Sequence, residues 1–143
     1  MQEWLERIVH IMNDMIPFNR FLGVRVAEVR EGFAALELPF RPDFVGNPLL
    51  PALHGGVMST LLDTCGGAAV WTQIDEADSV STVDLRVDYL RPGPLADLRC
   101  EGIVQRLGNR VGVVDMKLFA VDNPERLIAT GKGVYNVRRA SEQ

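Results

Sequence analysis

The chain has 143 residues, of which 47% are hydrophobic and 24% are charged, and its formal net charge is −4. This length and composition are typical of one globular domain with a sizeable core, so we assign residues 1–143 to a single domain. The negative net charge argues against a nucleic-acid-binding protein. The acidic start of the chain lacks the apolar core of a signal peptide, and no apolar run is long enough to span a bilayer.

The N-terminal residues are predicted to be helical. Apolar residues recur at helical spacing over residues 2–13, which indicates a one-sided surface helix within an N-terminal helical segment, 1–20. The stretch from Pro17 to Gly23 is predicted to be a short turn, because it begins with a helix breaker and ends with a glycine.

Six strands are predicted from the alternation of apolar and polar residues and from the turn residues between them. They lie at Val24–Arg30, Phe33–Pro39, Val80–Leu90, Leu98–Leu107, Val111–Val121 and Leu127–Val137. Successive strands with short connections must be largely antiparallel. Residues 41–53 contain three prolines and a glycine and are predicted to form an irregular loop, and residues 138–143 are expected to be a frayed tail.

The segment from His54 to about Gln73 is predicted to be a helix that is apolar nearly all round, and such a helix lies inside a protein. We therefore predict an α+β protein with the hotdog fold, in which a curved antiparallel sheet of about six strands wraps around one long central helix. An extra helix precedes this unit at the N-terminus.

Two features of the central helix suggest a reaction site. Gly55 and Gly56 at its start let a ligand approach unpaired N–H groups and the partial positive charge of a helix N-terminus. Asp63 is a single carboxylate on an otherwise apolar helix. Amide donors suit a developing oxyanion, and a carboxylate suits the activation of water.

The motif His54-Gly55-Gly56, the aspartate eight residues after Gly55, and the strand from Thr82 to Pro92 resemble the acyl-CoA thioesterases of the PaaI-like (4HBT-type) hotdog superfamily. The resemblance covers most of the chain. It implies hydrolysis of an acyl-CoA thioester without a metal or organic cofactor. It also implies a homodimer, or a dimer of dimers that forms a homotetramer, with sites at the protomer interface.

The resemblance assigns roles to individual residues. Gly55 would supply the backbone N–H that polarises the thioester carbonyl, and Asp63 would be the nucleophile or the general base. His54 would orient the loop or the thioester, and Thr82 would assist the water or the aspartate. The amide side chain that the family often carries before the histidine is replaced here by Pro48, and the adjacent Asn47 would take its role.

Further substrate contacts are expected from Gly56 and, through the CoA phosphates, from Arg91 and Arg110. Arginine suits phosphate recognition, although solvated strand faces also collect arginines. The two cysteines, Cys65 and Cys100, have no metal-site spacing, so we expect reduced thiols and a cytoplasmic protein.

The spacing along the helix has a consequence for assembly. Gly55 and Asp63 are about 12 Å apart along a helix, so one thioester carbonyl cannot contact both in the same chain. If both act on one substrate, they come from two protomers whose helices run antiparallel across a two-fold axis.

Other interpretations stay open from the sequence. Asp63 could be a structural carboxylate bonded to Thr60 or Thr64, and the glycines could serve packing alone. A hotdog hydratase or dehydratase would need a histidine facing an acid, and a non-catalytic acyl-CoA-binding module would not need Asp63. The acyl specificity cannot be inferred, but the large apolar residues that could line an acyl pocket are Trp4, Phe18, Phe21, Phe44, Met58 and Trp71.

Overall fold

The structure, a computed structural model, describes residues 1–142. Six strands form its main sheet: β1 (Arg25–Arg30), β2 (Phe33–Leu38), β5 (Ser79–Tyr89), β6 (Leu98–Leu107), β7 (Val111–Ala120) and β8 (Asn123–Arg138). Their order is β1-β2-β6-β7-β8-β5, and every neighbouring pair is antiparallel. All six predicted strands are therefore present. The largest boundary difference is at β8, which begins at Asn123 instead of Leu127.

The predicted central helix is α3 (Gly55–Trp71), which packs against β2, β5, β6, β7 and β8. Leu61 and Leu62 are completely buried, and burying such a side chain stabilises the fold by about 1.5–3 kcal/mol. The thiol of Cys65 lies 3.3 Å from the carbonyl oxygen of Ala34, so the helix touches the sheet backbone. Register shifts in four of the five strand pairs of the main sheet mark bulges or irregularities, and bulges bend strands.

The N-terminal segment contains more helix than predicted. Helix α1 (Gln2–His10) continues into a π-helical turn at Ile11–Met15, and a second helix, α2 (Pro17–Leu22), follows. The prediction of a turn from Pro17 to Gly23 is wrong. Pro17 occupies the start of α2, where its fixed φ favours a helix and its missing N–H costs nothing, and Gly23 ends α2 with a φ of 89°.

The proline-rich segment before α3 is partly ordered. It contains a 3-10 turn at Pro42–Phe44 and a two-stranded hairpin of β3 (Val45–Asn47) and β4 (Ala52–Leu53), so the expectation of a wholly irregular loop is wrong. A Cβ on Gly46 would lie 2.6 Å from Cα of His54. The glycine therefore lets β3 pass directly beside the residue that precedes α3.

The first residues after β8 are hydrogen-bonded to the residue that precedes β5. Arg138 is the last residue of β8, and Asp78 accepts hydrogen bonds from the Arg139 guanidinium and the Ala140 N–H. The Ala140 N–H is the largest cause that lowers the pKa of the Asp78 carboxyl, because it favours the charged form. Arg139 and Ala140 are thus hydrogen-bonded to the rest of the fold, while the fraying of residues 138–143 stays a prediction and Gln143 lies outside the described residues.

Buried side chains from Leu5 to Val137 form one continuous core, and the assignment of residues 1–143 to one domain stays a prediction. None of the helices within residues 1–142 has the length and apolar character needed to cross a membrane.

Candidate active site

The start of α3 is fixed by His54, the residue that precedes it. Its main chain is extended, and its ring Nδ1 accepts a hydrogen bond from the Gly56 N–H at 2.8 Å. Because Nδ1 accepts, the neutral ring carries its proton on Nε2. The His54 N–H donates to the carbonyl of Phe44, also at 2.8 Å. His54 thus caps the helix and ties it to the preceding loop.

The amides of the first helical turn differ in their partners. The Gly56 N–H is occupied by His54, and the next two amides donate to the His54 carbonyl. Within residues 1–142, no group accepts a hydrogen bond from the Gly55 N–H. The hydroxyl of Tyr89 donates to the Gly55 carbonyl at 3.1 Å. Gly55 therefore presents an unused donor at the positive end of the helix, whereas Gly56 does not.

Asp63 lies two turns further along α3, and its carboxylate is bound to the sheet. Its Oδ1 accepts a hydrogen bond from Thr82 Oγ1 at 2.9 Å and a longer one from the Tyr135 hydroxyl at 3.3 Å. In the described part of the chain, no group donates to Oδ2. The structure thus brings Asp63 and Thr82 together, whereas the Thr60 hydroxyl donates to the carbonyl of Gly56.

Tyr135 is the site residue that the sequence analysis missed. It is only 1% exposed, lies opposite Thr82 in the β5–β8 register, and donates to the main-chain carbonyl of Asp63 at 3.0 Å. Burial, and then the charge of Asp63, raise the pKa of the Tyr135 hydroxyl, because both disfavour the phenolate. The phenol is therefore a hydrogen-bond donor at all ordinary pH values.

Two glycines could have pointed to Tyr135. A Cβ on Gly66 would lie 2.1 Å from the Tyr135 hydroxyl oxygen, and a Cβ on Gly133 would lie 2.4 Å from its ring. Glycine inside a helix costs about 1 kcal/mol relative to alanine, so Gly66 requires a packing reason. That reason is the buried ring of Tyr135, which fills the space that side chains at both positions would need.

A cavity of about 200 Å³ opens beside Asp63. Apolar residues of α3, β5 and the N-terminal segment contribute most of its lining, and its polar lining residues besides Asp63 are Thr64, Ser81, Thr82 and Tyr135. Its walls include Met12, Ile16, Gly67, Ala68, Trp71 and Val80. Of the large apolar residues that the sequence suggested, only Trp71 is among its lining residues. Trp4 supports this wall, because its indole N–H donates to the Trp71 carbonyl at 3.0 Å.

A carboxylate beside an apolar cavity and an unused amide at a helix start are the elements of an acyl-transfer site. Residues 50–126 match the family model of the thioesterase superfamily. The chain belongs to this superfamily. It is 35% identical over 136 residues to the medium/long-chain acyl-CoA thioesterase YigI of Escherichia coli, and the match covers 85% of this chain and 86% of that protein.

Solved structures of thioesterases agree with this assignment. A thioesterase family protein from Silicibacter pomeroyi has a TM-score of 0.85 at 25% identity, with 94% of this chain and 98% of that one covered. A protein from Shewanella oneidensis related to the thioesterase superfamily has a TM-score of 0.79 at 30% identity, with 94% and 95% covered. The predicted hotdog fold is therefore confirmed, and the protein is a hydrolase of thioester bonds.

The two arginines expected near CoA lie far apart in this thioesterase. Arg91 donates to the Leu127 carbonyl at 2.7 Å and lines a surface hollow of about 480 Å³ that also contains Arg126. The carbonyl of Arg110 accepts from the Val137 N–H. Leu127 and Val137 are ten residues apart on the continuous strand β8, or about 33 Å. One CoA phosphate group therefore cannot contact both arginines of one chain.

Asn47 lies in β3, beside the start of α3, but its side-chain oxygen is occupied. Its Oδ1 accepts hydrogen bonds from the Leu49 and Leu50 N–H groups at 3.0 and 3.2 Å. These bonds hold the turn between β3 and β4. Only the side-chain NH₂ of Asn47 is left for a ligand, so a role toward the thioester would use this group as a donor.

Proposed function

We propose that this protein hydrolyses acyl-CoA thioesters, with Asp63 of one protomer and the Gly55 amide of its partner acting on the same substrate. The single observation that carries the proposal is the carboxylate of Asp63 at the edge of an apolar cavity, held by one oxygen only. A carboxylate with one anchored and one available oxygen can take a proton from water without losing its position.

In the proposed reaction, Asp63 is the general base. Its Oδ2 takes a proton from a water molecule as the water oxygen bonds to the thioester carbon, and the carbonyl electrons move onto oxygen. A Gly55 N–H stabilises this oxyanion. Collapse of the intermediate breaks the C–S bond, and the CoA thiolate takes the proton from Asp63. Direct attack by Asp63 as a nucleophile would use the same oxygen and the same amide.

The two groups must come from different subunits. Both belong to the continuous helix α3, where their separation of eight residues corresponds to about 12 Å. A carbonyl oxygen that accepts from an N–H lies within about 3 Å of that nitrogen, so it cannot also lie beside Asp63 of the same chain. Two copies related by a two-fold axis would form two equivalent composite sites.

The edge of the sheet suggests how the copies pair. Strand β5 is eleven residues long and terminates the strand order, so its outer edge has no neighbouring strand among the described residues. On this strand, Val83 is 64% exposed and Tyr89 is 50% exposed. Unpaired edges with apolar side chains favour association with another strand. We infer a homodimer formed through β5, and a homotetramer stays a prediction.

The cavity indicates the acyl group. Its lining is mainly apolar and includes both Asp63 and Trp71, which suits an aliphatic chain of medium length. The relative YigI, named as a medium/long-chain acyl-CoA thioesterase, supports this choice. The CoA phosphates would lie outside the cavity, where Arg91 is a candidate contact. The cytoplasmic location expected from the two free cysteines also stays a prediction.

Release of free thiol from acyl-CoAs of increasing chain length tests the proposal. We expect turnover by the wild-type protein and a loss of about 100- to 10,000-fold in kcat for Asp63→Asn, the range for a general base. Asp115→Asn is the matched control, because Asp115 is an exposed carboxylate that pairs with Lys132 on the sheet. Wild-type binding of acyl-CoA without thiol release would contradict the proposal and support a non-catalytic binding module.

A further inference from the structure

The hydroxyl of Tyr135 has no part in the reaction described above, yet it is hydrogen-bonded to Asp63, the proposed general base. It is 3.0 Å from the main-chain carbonyl of Asp63 and 3.3 Å from Oδ1. Thr82, the cross-strand neighbour of Tyr135, reaches the same Oδ1 at 2.9 Å. Two hydroxyls from adjacent strands therefore converge on one carboxylate oxygen and leave the other without a partner from residues 1–142.

The phenol has one proton for two acceptors. A hydroxyl in this position shares its proton between the carbonyl and the carboxylate or alternates between them. The charged carboxylate is the stronger acceptor. When Asp63 has taken up a proton from water, the main-chain carbonyl still offers the phenol a partner. The buried hydroxyl thus keeps a hydrogen bond in both states of Asp63, and turnover does not create an unsatisfied donor.

The ring of Tyr135 has little freedom to move. Gly66 on α3 and Gly133 on β8 leave just enough space for it, since a Cβ at either position would be within 2.4 Å of its atoms. A Cβ on the adjacent Gly67 would lie 3.7 Å from the ring, which is an ordinary contact distance. A phenol enclosed in this way holds its hydroxyl in one place relative to α3. The hydroxyl can therefore hold the Asp63 carboxylate in one position.

We propose that Tyr135 is a positioning residue for Asp63. Together with Thr82 it fixes Oδ1, so that Oδ2 is presented as the oxygen that meets the attacking water. The proposal rests on the proposed function of Asp63. Tyr135 acts through Asp63 and needs no contact of its own with the thioester.

Tyr135→Phe tests the proposal, because it keeps the ring and removes only the hydroxyl. We expect kcat to fall about 10- to 100-fold while KM changes by less than about twofold, the signature of a group that orients the base. Thr82→Val removes the other anchor of Oδ1. The double variant is expected to lose more than the product of the two single losses, since each single variant keeps one anchor.

Thr72→Val is the matched control. The Thr72 hydroxyl is also buried and also donates to a carbonyl of α3, that of Ala69 at 2.6 Å, but it does not line the cavity. We expect this variant to lose thermal stability and keep kcat. All variants are assayed well below their melting temperatures, so that a lower kcat does not reflect unfolded protein.

An unchanged kcat in Tyr135→Phe would overturn the inference and leave the proposed function intact, provided that Asp63→Asn is inactive. A Tyr135→Phe loss that appears in KM alone would also overturn it, because positioning of the base acts on kcat. If Asp63→Asn retains full activity, the proposed function itself fails.

Discussion

The start and the middle of α3 are built in opposite ways. At the start, the amides are ordered by the chain's own loop, and the Gly55 N–H points to no acceptor within residues 1–142. In the middle, the Asp63 side chain is bound across to the sheet and borders an apolar cavity. The start thus offers an amide donor, and the middle offers an acid beside a cavity.

On the proposed mechanism, this difference teaches that one chain can hold two halves of a site that are incomplete by themselves. Because the rigid helix fixes the distance between the two halves, a second copy of α3 would have to complete each site. Variants that change only the start of α3, or only its middle, therefore test whether Gly55 and Asp63 take part in one reaction.

After the loss expected for Asp63→Asn, the largest effect is expected at the start of α3, from Gly55→Pro. Proline is tolerated at the first position of a helix, and the extended main chain of His54 suits a following proline, so this change removes the N–H and keeps the helix. Loss of one oxyanion donor is expected to lower kcat about 100- to 1,000-fold in a thiol-release assay. Gly55→Ala is the control, because its Cβ would meet Tyr89 at an ordinary 3.5 Å and the N–H stays.

Mixed dimers sharpen the same test. A protomer with Asp63→Asn and a partner with Gly55→Pro would together contain one intact composite site and one site that lacks both groups. We expect verified heterodimers to recover about half of the wild-type activity, since one of two equivalent sites is restored. Heterodimers that remain as inactive as either parent would contradict composite sites.

The next effect is expected in the middle of α3, where two adjacent glycines differ in their surroundings. Gly66→Ala places a Cβ 2.1 Å from the Tyr135 hydroxyl oxygen, and such overpacking costs about 1–3 kcal/mol. Gly67→Ala has space and is expected to stabilise the helix by about 1 kcal/mol. Thermal unfolding should therefore show opposite shifts. Equal shifts would mean that Tyr135 does not fill the space beside Gly66.

Gly67→Ala has a second, smaller consequence, because Gly67 lines the cavity. The added methyl group is expected to reduce turnover of longer acyl-CoAs more than that of shorter ones. Gly66→Ala is expected to lower kcat for all chain lengths, because it displaces the residue that holds Asp63. The same chain-length series of acyl-CoAs measures both effects.

The smallest effect concerns pH and involves the middle of the helix alone. Burial raises the pKa of the Tyr135 hydroxyl, so the folded protein keeps a proton that the unfolded chain loses above about pH 10. The contribution to stability is complete below that pH and is lost as the pH rises. The free energy of unfolding should fall by up to about 1.4 kcal/mol per pH unit in this range. Denaturant titrations should show a weaker fall for Tyr135→Phe.

Much of the fold could be predicted from local patterns. The all-round apolar character of α3 and the alternation in the six strands were sufficient, since both reflect which faces are buried. Helix α2 was not predicted, because a proline that ends one helix can also begin the next. The hairpin before α3 depends on the close approach of Gly46 to His54, which no local pattern reveals.

The part of the candidate site that lies on one helix was predictable from the sequence, whereas the contacts between residues far apart in the sequence were less so. Gly55 and Asp63 are related by spacing on one helix, and the sequence carries that spacing. Tyr135 is 72 residues from Asp63, and their contact depends on the β5–β8 register, which shifts by a bulge between Thr82 and Asp84. Gly66 and Gly133 indicated that a side chain packs closely against both positions, but the sequence alone does not identify that side chain as Tyr135.

The unpaired edge of β5 has a consequence for how the protein becomes active in a cell. On the proposed assembly, a newly made chain folds with a bare strand and with two unmatched halves, so it cannot hydrolyse any thioester before it meets a second chain. Specific activity would then depend on enzyme concentration. Dilution would dissociate the dimer and abolish activity without unfolding the protein.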